Sequence, residues 1–276
     1  MTANNQEQID FWNGEAARTW VNAQAQLDAM LAPISRVLIE RAAPEAGERA
    51  IDVGCGCGDT TLALAKGGAA VWGIDISEPM LERARARAAG MESVAFSRTD
   101  AATQAFTADH QLVLSRFGVM FFADPSAAFA NLRSALTDAG RLCFVCWQAP
   151  GKNPWMAIAG AAVRPYLDEP ETPPDPRAPG PFAFADPEYL REVLEAGGFT
   201  GIAIEPLTTK LHVADTVDGA MEFLQQVGPL SRVLQELDDA TRETAMAAAR
   251  DALTPHAGPT GLDLGAACWL VTARPG

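Results

Sequence analysis

The chain has 276 residues, and 21 Lys and Arg against 35 Asp and Glu give it a formal net charge of −14. That acidity argues against binding DNA or RNA, whose affinity comes largely from Lys and Arg contacts with phosphate, and against docking on anionic lipid. The sequence has no apolar run of the ~18 residues that a membrane span needs and no recognisable secretory signal, so we expect a cytoplasmic protein with reduced cysteines.

The first predicted elements are helices. Residues 1–40 carry aromatic and aliphatic side chains at helical spacing, and Asn13-Gly14 and Pro33 are the expected interruptions. Strands and helices then alternate, with strands predicted at 49–53, 69–74, 94–98, 112–115 and 141–147 and helices at 60–66, 77–89 and 125–136. This alternation predicts a parallel sheet with helices on both faces.

The alternation stops after Trp147. Residues 168–187 are rich in proline, which predicts an irregular surface segment and a candidate lid. A helix at 187–196, a strand at 202–205, a helical region at 216–253 and a last strand at 267–272 complete the predicted elements.

The most informative local sequence is DVGCGCGDTT, at residues 52–61. A strand runs into a glycine turn and then a helix, an arrangement that lets a ligand approach the backbone closely. Gly54 and Gly56 fill the first two positions of a dinucleotide motif, but Asp59 stands at the third. A carboxylate at the helix start would repel a pyrophosphate, so the loop suits a ligand with an ammonium group and no phosphates.

Three successive predicted strands end in an aspartate: Asp52, Asp75 and Asp100. Asp75 follows Asp52 by 23 residues, about the spacing at which an acidic residue binds ribose hydroxyls. Ligands of open α/β sheets bind at the carboxyl edge of the strands, so these three side chains predict a nucleoside site there.

The motifs DVGCGCGDTT, GIDIS and RTDAA, with SRFGVMFF followed by Asp124-Pro125, resemble those of class I S-adenosylmethionine-dependent methyltransferases. The similarity covers roughly residues 45–150 and is strongest to the subgroup that resembles ubiquinone and menaquinone C-methyltransferases. It implies a single α/β domain with a doubly wound, Rossmann-like, seven-stranded sheet whose last strand is antiparallel. Within residues 1–276 we expect an N-terminal helical lid (1–40), a cofactor-binding core (41–147), an inserted lid (148–196) and the rest of the sheet with its helical connection (197–276).

The resemblance also implies a role for each matching residue. Gly54, Cys55, Gly56 and Gly58 would pass under the carboxypropyl part of S-adenosylmethionine, with Asp52 near its ammonium. Asp75 would accept hydrogen bonds from the ribose, and the remaining expected contacts are Ile76, Asp100 and Ala101 at the adenine and the backbone of Ser115 and Arg116 at the methionine end. Met80 and Trp20 are expected either in this site or in the core.

The acceptor pocket is expected beyond the fourth and fifth strands, with walls from Trp12, Phe117, Phe121, Trp147 and Asn153. Phe122 and Trp155 are interpreted as core packing. A base is needed only if the acceptor must lose a proton, and the candidates are His212, His256 and Asp124, each of which has an ordinary structural alternative. Cys143 and Cys146 lie on a strand and point to opposite faces, so we expect no metal.

The sequence therefore predicts transfer of a methyl group from S-adenosylmethionine to a small molecule, with S-adenosylhomocysteine as the other product. Oxygen is placed ahead of carbon or nitrogen as the acceptor atom. Two alternatives stay open: an NAD-dependent oxidoreductase and a non-catalytic S-adenosylmethionine-binding subunit. We expect a monomer or homodimer that has no nucleic-acid or membrane partner.

Overall fold

The computed structural model describes residues 5–167, 175–227, 229–235 and 237–276. Its eight strands form one sheet with the order β3-β2-β1-β4-β5-β8-β6, and β7 pairs with β8. The strands are β1 (Arg49–Val53), β2 (Ala70–Asp75), β3 (Val94–Arg98), β4 (His110–Arg116), β5 (Leu136–Trp147), β6 (Phe199–Ala214), β7 (Ala257–Gly258) and β8 (Gly261–Pro275).

Helices cover both faces of this sheet. They are α1 (Gln6–Asn13), α2 (Glu15–Asn22), α3 (Gln24–Ala42), α4 (Asp59–Lys66), α5 (Glu78–Arg87), α6 (Pro125–Ser134), α7 (Pro154–Val163), α8 (Pro187–Ala196), α9 (Val217–Leu224), α10 (Pro229–Gln235) and α11 (Asp239–Leu253). None of the helices within the described ranges is long and apolar enough to cross a membrane.

The predicted sheet is confirmed. β1 to β5 pair in parallel, whereas β8 is antiparallel to both of its long neighbours, β5 and β6. The two-residue strand β7 is an addition to the seven predicted strands, and it pairs with the start of β8 at Gly261. The doubly wound, Rossmann-like class of the fold therefore agrees with the sequence analysis.

Several predicted elements have other bounds in the structure: β5 begins at Leu136 and not at 141, and β8 spans Gly261–Pro275 and not 267–272. Two further differences have a clear physical reason. The strand expected at 202–205 is β6, which extends over 16 residues to Ala214 along β8. β6 lies at the edge of the sheet, and residues in its central part alternate between half-buried and exposed. An edge strand also tolerates Pro206. Because this part has no continuous apolar run, the sequence analysis did not recognise the full length of the strand. Pro33 does not interrupt α3, because Met30, Leu31 and Ile34 around it are all buried in the core.

The parallel register brings the carboxyl ends of the strands level with one another. Val53 pairs with Ile74 and Asp75 with Arg98, so the turns after β1, β2 and β3 emerge side by side. α3 packs against β4, β5 and β6, and α1 and α2 precede it at this edge of the sheet. The predicted lid falls partly on residues 168–174, which lie outside the described residues, while residues 175–186 form turns that lead into α8.

Candidate functional site

A cavity opens at the carboxyl edge of the parallel strands, between the turns that follow β1 to β5 and helices α1 to α3. It brings together most of the residues expected in the site: Trp12, Trp20, Gly54, Cys55, Gly56, Asp75, Ile76, Met80, Asp100, Ala101, Arg116, Phe117, Phe121 and Trp147. Asp52, Gly58, Ser115 and Asn153 do not line its wall.

The glycine turn is built for close backbone contact. Gly54 has φ +66°, and a Cβ there would lie 2.7 Å from the Cα of Gly118. A Cβ on Gly118 would in turn lie 2.6 Å from the carbonyl oxygen of Val53. Gly58 serves packing and not ligand contact: a Cβ there would lie 3.1 Å from Ala84 of α5 and from Phe96 of β3, so glycine lets both come close to the start of α4.

Asp75 is held rigidly at the end of β2. Its two oxygens accept hydrogen bonds from the backbone N–H groups of Gly56 and Ser77, each at 2.8 Å. Burial raises the pKa of Asp75, and these backbone donors oppose that rise. Because each carboxylate oxygen has a second lone pair, Asp75 can still accept bonds from a ligand in the cavity.

Asp100 lies where the N-terminal helices meet the sheet. Its carboxylate accepts from the backbone N–H of Ala102 at 2.9 Å and from the amide of Asn5 at 3.3 Å. Close by, the Asn13 amide donates to the carbonyl oxygen of Ile76 and its oxygen accepts from the N–H of Glu78. These bonds place α1 across the turn after β2.

Asp52 lies behind the cavity wall and is fully buried. Its Oδ2 accepts from the hydroxyls of Thr60 at 2.7 Å and Thr61 at 2.6 Å, whereas Oδ1 has no partner among the described residues. Burial raises the pKa of Asp52 to about 6. The sequence analysis expects Asp52 near the ammonium group of the cofactor; the structure places its carboxylate one layer behind the cavity wall, which Thr60 lines.

An ion pair lies at the start of α4. Nη1 of Arg116 donates to Oδ2 of Asp59 at 2.7 Å and to Oγ of Ser35 at 2.6 Å. Asp28 also lines this part of the wall, and burial, followed by repulsion from Asp59, raises its pKa. The hydroxyl of Ser115 donates to the carbonyl oxygen of Val53, so its side chain is turned away from the cavity, and the contact expected of its backbone stays a prediction.

Aromatic rings form much of the remaining wall. Phe117 has φ +67°, a strained conformation for a bulky residue, and its ring stacks on Trp147 at 4.0 Å between centroids. Trp12 makes edge contacts with Trp20 at 5.6 Å and Phe121 at 5.5 Å, which joins α1 to the turn after β4. The sequence analysis did not place Leu27, Met30, Leu31, Met120, Phe122, Trp155, Met156, Pro181 and Val227 in this wall.

Phe122 and Trp155, expected in the core, contribute both to the core and to the cavity wall. Asn153 was expected in the acceptor pocket but does not line the cavity. It is fully buried, its amide donates to the carbonyl oxygens of Gln148 and Ala149, and its oxygen accepts from the N–H of Ala267. Asn153 therefore fixes the start of α7, whose first turn carries Trp155.

The three candidate bases lie away from the cavity. Asp124 is the N-cap of α6 and accepts from the N–H of Ala127. His212, near the end of β6, is about half exposed and bonds Asp263 and Asp215, which raise its pKa in that order. His256 is exposed just before β7. None of the three contributes to the cavity wall as the structure describes it.

The cysteines of the site are neutral thiols. Cys55 and Cys57 line the wall, and burial raises the pKa of Cys57 to about 11. Cys143 and Cys146 on β5 are buried and unpaired, and burial raises the pKa of Cys143 to about 12. Buried thiols with raised pKa values are poor nucleophiles near neutral pH.

Comparisons with known proteins identify the family of the chain. Residues 50–140 match the family described as a methyltransferase domain. A demethylmenaquinone methyltransferase of Clavibacter sepedonicus is 32% identical over 192 residues, which cover 63% of this chain and 74% of that protein. Proteins of Mycobacterium bovis and Mycobacterium tuberculosis are 32% identical over 142 residues, and the match spans half the length of those relatives.

Solved structures show the same fold. One is phosphoethanolamine N-methyltransferase 2 of Haemonchus contortus, in complex with phosphomonomethylethanolamine and S-adenosylhomocysteine. It is similar with a TM-score of 0.53 and 18% identity over 88% of this chain and 53% of that one.

Proposed function

The chain belongs to the class I S-adenosylmethionine-dependent methyltransferases, and from that premise we propose that it transfers a methyl group from S-adenosylmethionine to a small-molecule acceptor. One observation supports this most directly. The rigid carboxylate of Asp75, the glycine turn and Asp100 share a single cavity with a wall of aromatic and aliphatic side chains. Such a cavity has a place for a nucleoside and, adjoining it, a place for an apolar acceptor.

The residues present fit the cofactor. The glycine turn offers a cradle that a Cβ on Gly54 or Gly118 would fill, and Asp75 keeps free lone pairs for ribose hydroxyls. The unpartnered Oδ1 of Asp52 is a buried acceptor suited to a water molecule or an ammonium group nearby. Asp100 and Ile76 would hold the adenine, and Arg116 with Asp59 would face the charged methionine end.

When bound, S-adenosylmethionine would supply a methyl group carried on a positively charged sulfur; the acceptor would bond to the methyl carbon with its own electron pair, and the sulfur would keep the pair of the broken C–S bond. The protein then has to align the two partners and exclude water. The aromatic wall suits both tasks, because it is desolvated and because ring faces attract a cation. We propose three side chains for this wall. Phe117 and Trp147 are stacked on each other, and Trp12 reaches the cavity from α1.

The described cavity wall contains no histidine, lysine, tyrosine or glutamate. Its carboxylates are engaged near the glycine turn or at the ends of β2 and β3, and its thiols are neutral. We therefore propose an acceptor that reaches the site already nucleophilic. Oxygen remains our first choice of acceptor atom, ahead of carbon and nitrogen, in the form of an oxygen that ionises easily.

The alternative of an NAD-dependent oxidoreductase is disfavoured by Asp59. Its carboxylate stands in the first turn of α4 and lines the cavity, at the helix N-terminus where a pyrophosphate would have to lie. Arg116 is the one cation in the described part of the cavity wall, and it already pairs with Asp59, so it is not available to a phosphate.

The experiment is a turnover assay. Purified protein is incubated with S-adenosylmethionine and a panel of small hydroxylated aromatic compounds, and S-adenosylhomocysteine is quantified by mass spectrometry. We expect acceptor-dependent product from the wild type, and more than tenfold weaker S-adenosylmethionine binding for Asp75→Ala. Tight S-adenosylmethionine binding without product from any acceptor would favour the non-catalytic alternative. If Asp75→Ala bound S-adenosylmethionine as tightly as the wild type does, Asp75 would not be the residue that binds the ribose.

A further inference from the structure

Phe117 lies where the glycine turn meets the aromatic wall of the cavity. It precedes Gly118, where a Cβ would come within 2.8 Å of the Cα of Gly54 and 2.6 Å of the carbonyl oxygen of Val53. The backbone N–H of Phe117 donates to the carbonyl oxygen of Val145 at 3.1 Å. The turn after β4 is therefore held between the glycine turn and β5, and Phe117 lies one residue from the expected cofactor cradle.

The backbone of Phe117 is strained for a residue of its size. Its φ of +67° lies in the left-handed region, where bulky side chains are rare. Conformations of this kind persist where the surrounding structure enforces them, and they cluster at functional sites. Because a glycine would adopt the same backbone without strain, the phenyl ring itself is the feature that needs an explanation.

One face of the Phe117 ring is covered, and the ring is still accessible. The indole of Trp147 lies parallel to it, with 9° between the planes and 4.0 Å between the centroids. Phe117 lines the cavity and is only partly buried, whereas Trp147 is buried. No second ring stacks on Phe117 within the described part of the chain. The accessible part of the ring therefore belongs to its other face and its edge, at the cavity wall.

Phe117 differs in this respect from the other partly buried rings of the wall. Trp12 makes edge contacts with both Trp20 and Phe121, so these three rings are crossed against one another. A planar ligand on the free face of Phe117 would instead extend the parallel stack that Trp147 begins. Stacked aromatic rings attract one another beyond the gain from buried area.

We propose that Phe117 is the specificity-determining residue of the acceptor site, and that the free face of its ring selects planar aromatic acceptors over saturated ones of the same size. This inference rests on the proposed function and deepens it by naming the substrate class. Three thioether side chains of the same wall fit such a ligand, because sulfur packs favourably against aromatic rings. They are Met30, Met120 and Met156.

The test compares two neutral probes in the presence of S-adenosylhomocysteine. One is 2-naphthol, which is planar, and the other is trans-decahydro-2-naphthol, which has the same carbon skeleton and hydroxyl group but puckered rings. We expect the wild type to bind 2-naphthol about fivefold more tightly, as ring stacking predicts. In Phe117→Leu, which keeps an apolar side chain, the two affinities should become equal within about twofold, because only the binding of 2-naphthol weakens.

Two variants serve as matched controls. Phe117→Tyr keeps the ring face and should keep the preference. Phe106→Leu removes a ring that contacts Trp72 outside the cavity wall, and it should also keep the preference. A second measurement needs no variant: NMR of the wild type should show nuclear Overhauser effects between bound 2-naphthol and the assigned ring protons of Phe117.

Four results would overturn the inference. Equal affinity of the wild type for both probes would exclude the substrate class. An unchanged preference in Phe117→Leu, or equal weakening of both probes, would leave Phe117 a packing role only. Absence of the Overhauser effects would exclude the contact. A loss of affinity for S-adenosylmethionine alone, with S-adenosylhomocysteine and both probes bound as in the wild type, would assign the free face to the sulfonium. The proposed function fails separately, through absence of S-adenosylhomocysteine binding to the wild type.

Discussion

At the scale of residues, the site works by giving each polar group a fixed position and leaving a few of them partly unsatisfied. Asp75 is fixed by two backbone donors and still has free lone pairs. One oxygen of Asp52 and the indole N–H of Trp155 have no hydrogen-bond partner among the described residues. Buried groups of this kind are costly in an empty protein. For Asp75, which lines the cavity, we propose that the ribose of the cofactor supplies the missing partners.

The sequence placed Asp75 and Asp100 at the carboxyl edge of the sheet, where both line the cavity, because a glycine turn and aspartates in register report directly on that edge. It did not predict that Asp28 and Met30 of α3 line the cavity. The apolar residues of this helix are spaced so that more than one of its faces could be turned to the core. The sequence analysis also misplaced Asn153, whose polarity suggested a ligand contact but whose hydrogen bonds are all internal.

Asp52 should make the stability of the ligand-free protein depend on pH. Its folded pKa of about 6 lies above the ordinary value of 3.8, so the folded state binds the proton more tightly, and stability falls as pH rises from 4 to above 6. Asp52→Asn removes this charge and keeps an oxygen for Thr60 and Thr61. We expect the variant to gain up to about 3 kcal/mol over wild type at pH 7.5, and that gain to vanish near pH 4.

Urea denaturation across this pH range measures the effect, with Asp138→Asn on the surface as the control that should show no such trend. A stability difference between Asp52→Asn and wild type that is the same at every pH would contradict the role of burial at Asp52.

At the scale of elements, α1 and α2 are helices that bury very few residues. No residue of α1 is buried and only Ala17 of α2 is. Their contacts include Trp12 on Phe121, Asn13 on the turn after β2 and Asn5 on Asp100, together with packing of α2 against α3 and α5. We propose that these two helices are a lid whose opening admits the cofactor, since weakly buried elements open first.

Trp12→Ala tests the lid. Loss of the indole removes the ring contacts with Trp20 and Phe121, so we expect S-adenosylhomocysteine to dissociate about tenfold faster in stopped-flow measurements, with little change in melting temperature. Arg18→Ala, an exposed position on α2, is the control and should leave the dissociation rate unchanged. An unchanged rate for Trp12→Ala would mean that α1 does not gate the site.

Element boundaries show which signals in the sequence were sufficient. β3 and α8 lie at their predicted positions, because turn residues and caps delimit both. Pro33 was expected to break a helix, yet α3 continues past it, because apolar residues on both sides of Pro33 are buried. β6 was recognised only in its apolar first part, because an edge strand that is half exposed has no strong hydrophobic pattern.

At the scale of the whole molecule, the charge of −14 and the fold point to the same kind of partner. Several of the carboxylates have a place at the carboxyl edge of the sheet, where Asp75 and Asp100 face the cavity and Asp59 pairs with Arg116. An acidic edge of this kind favours a ligand that brings a positive charge and hydroxyl groups over one that brings phosphates. The net charge also supports our proposal of a small-molecule acceptor over a nucleic acid.

The most direct test of the central claim is isothermal titration calorimetry of the purified chain with three ligands: S-adenosylmethionine, S-adenosylhomocysteine and NAD. We predict that both sulfur compounds bind with one site per chain, that Asp75→Ala weakens both more than tenfold, and that NAD gives no measurable heat of binding. Tight binding of NAD, or no binding of either sulfur compound, would contradict the account.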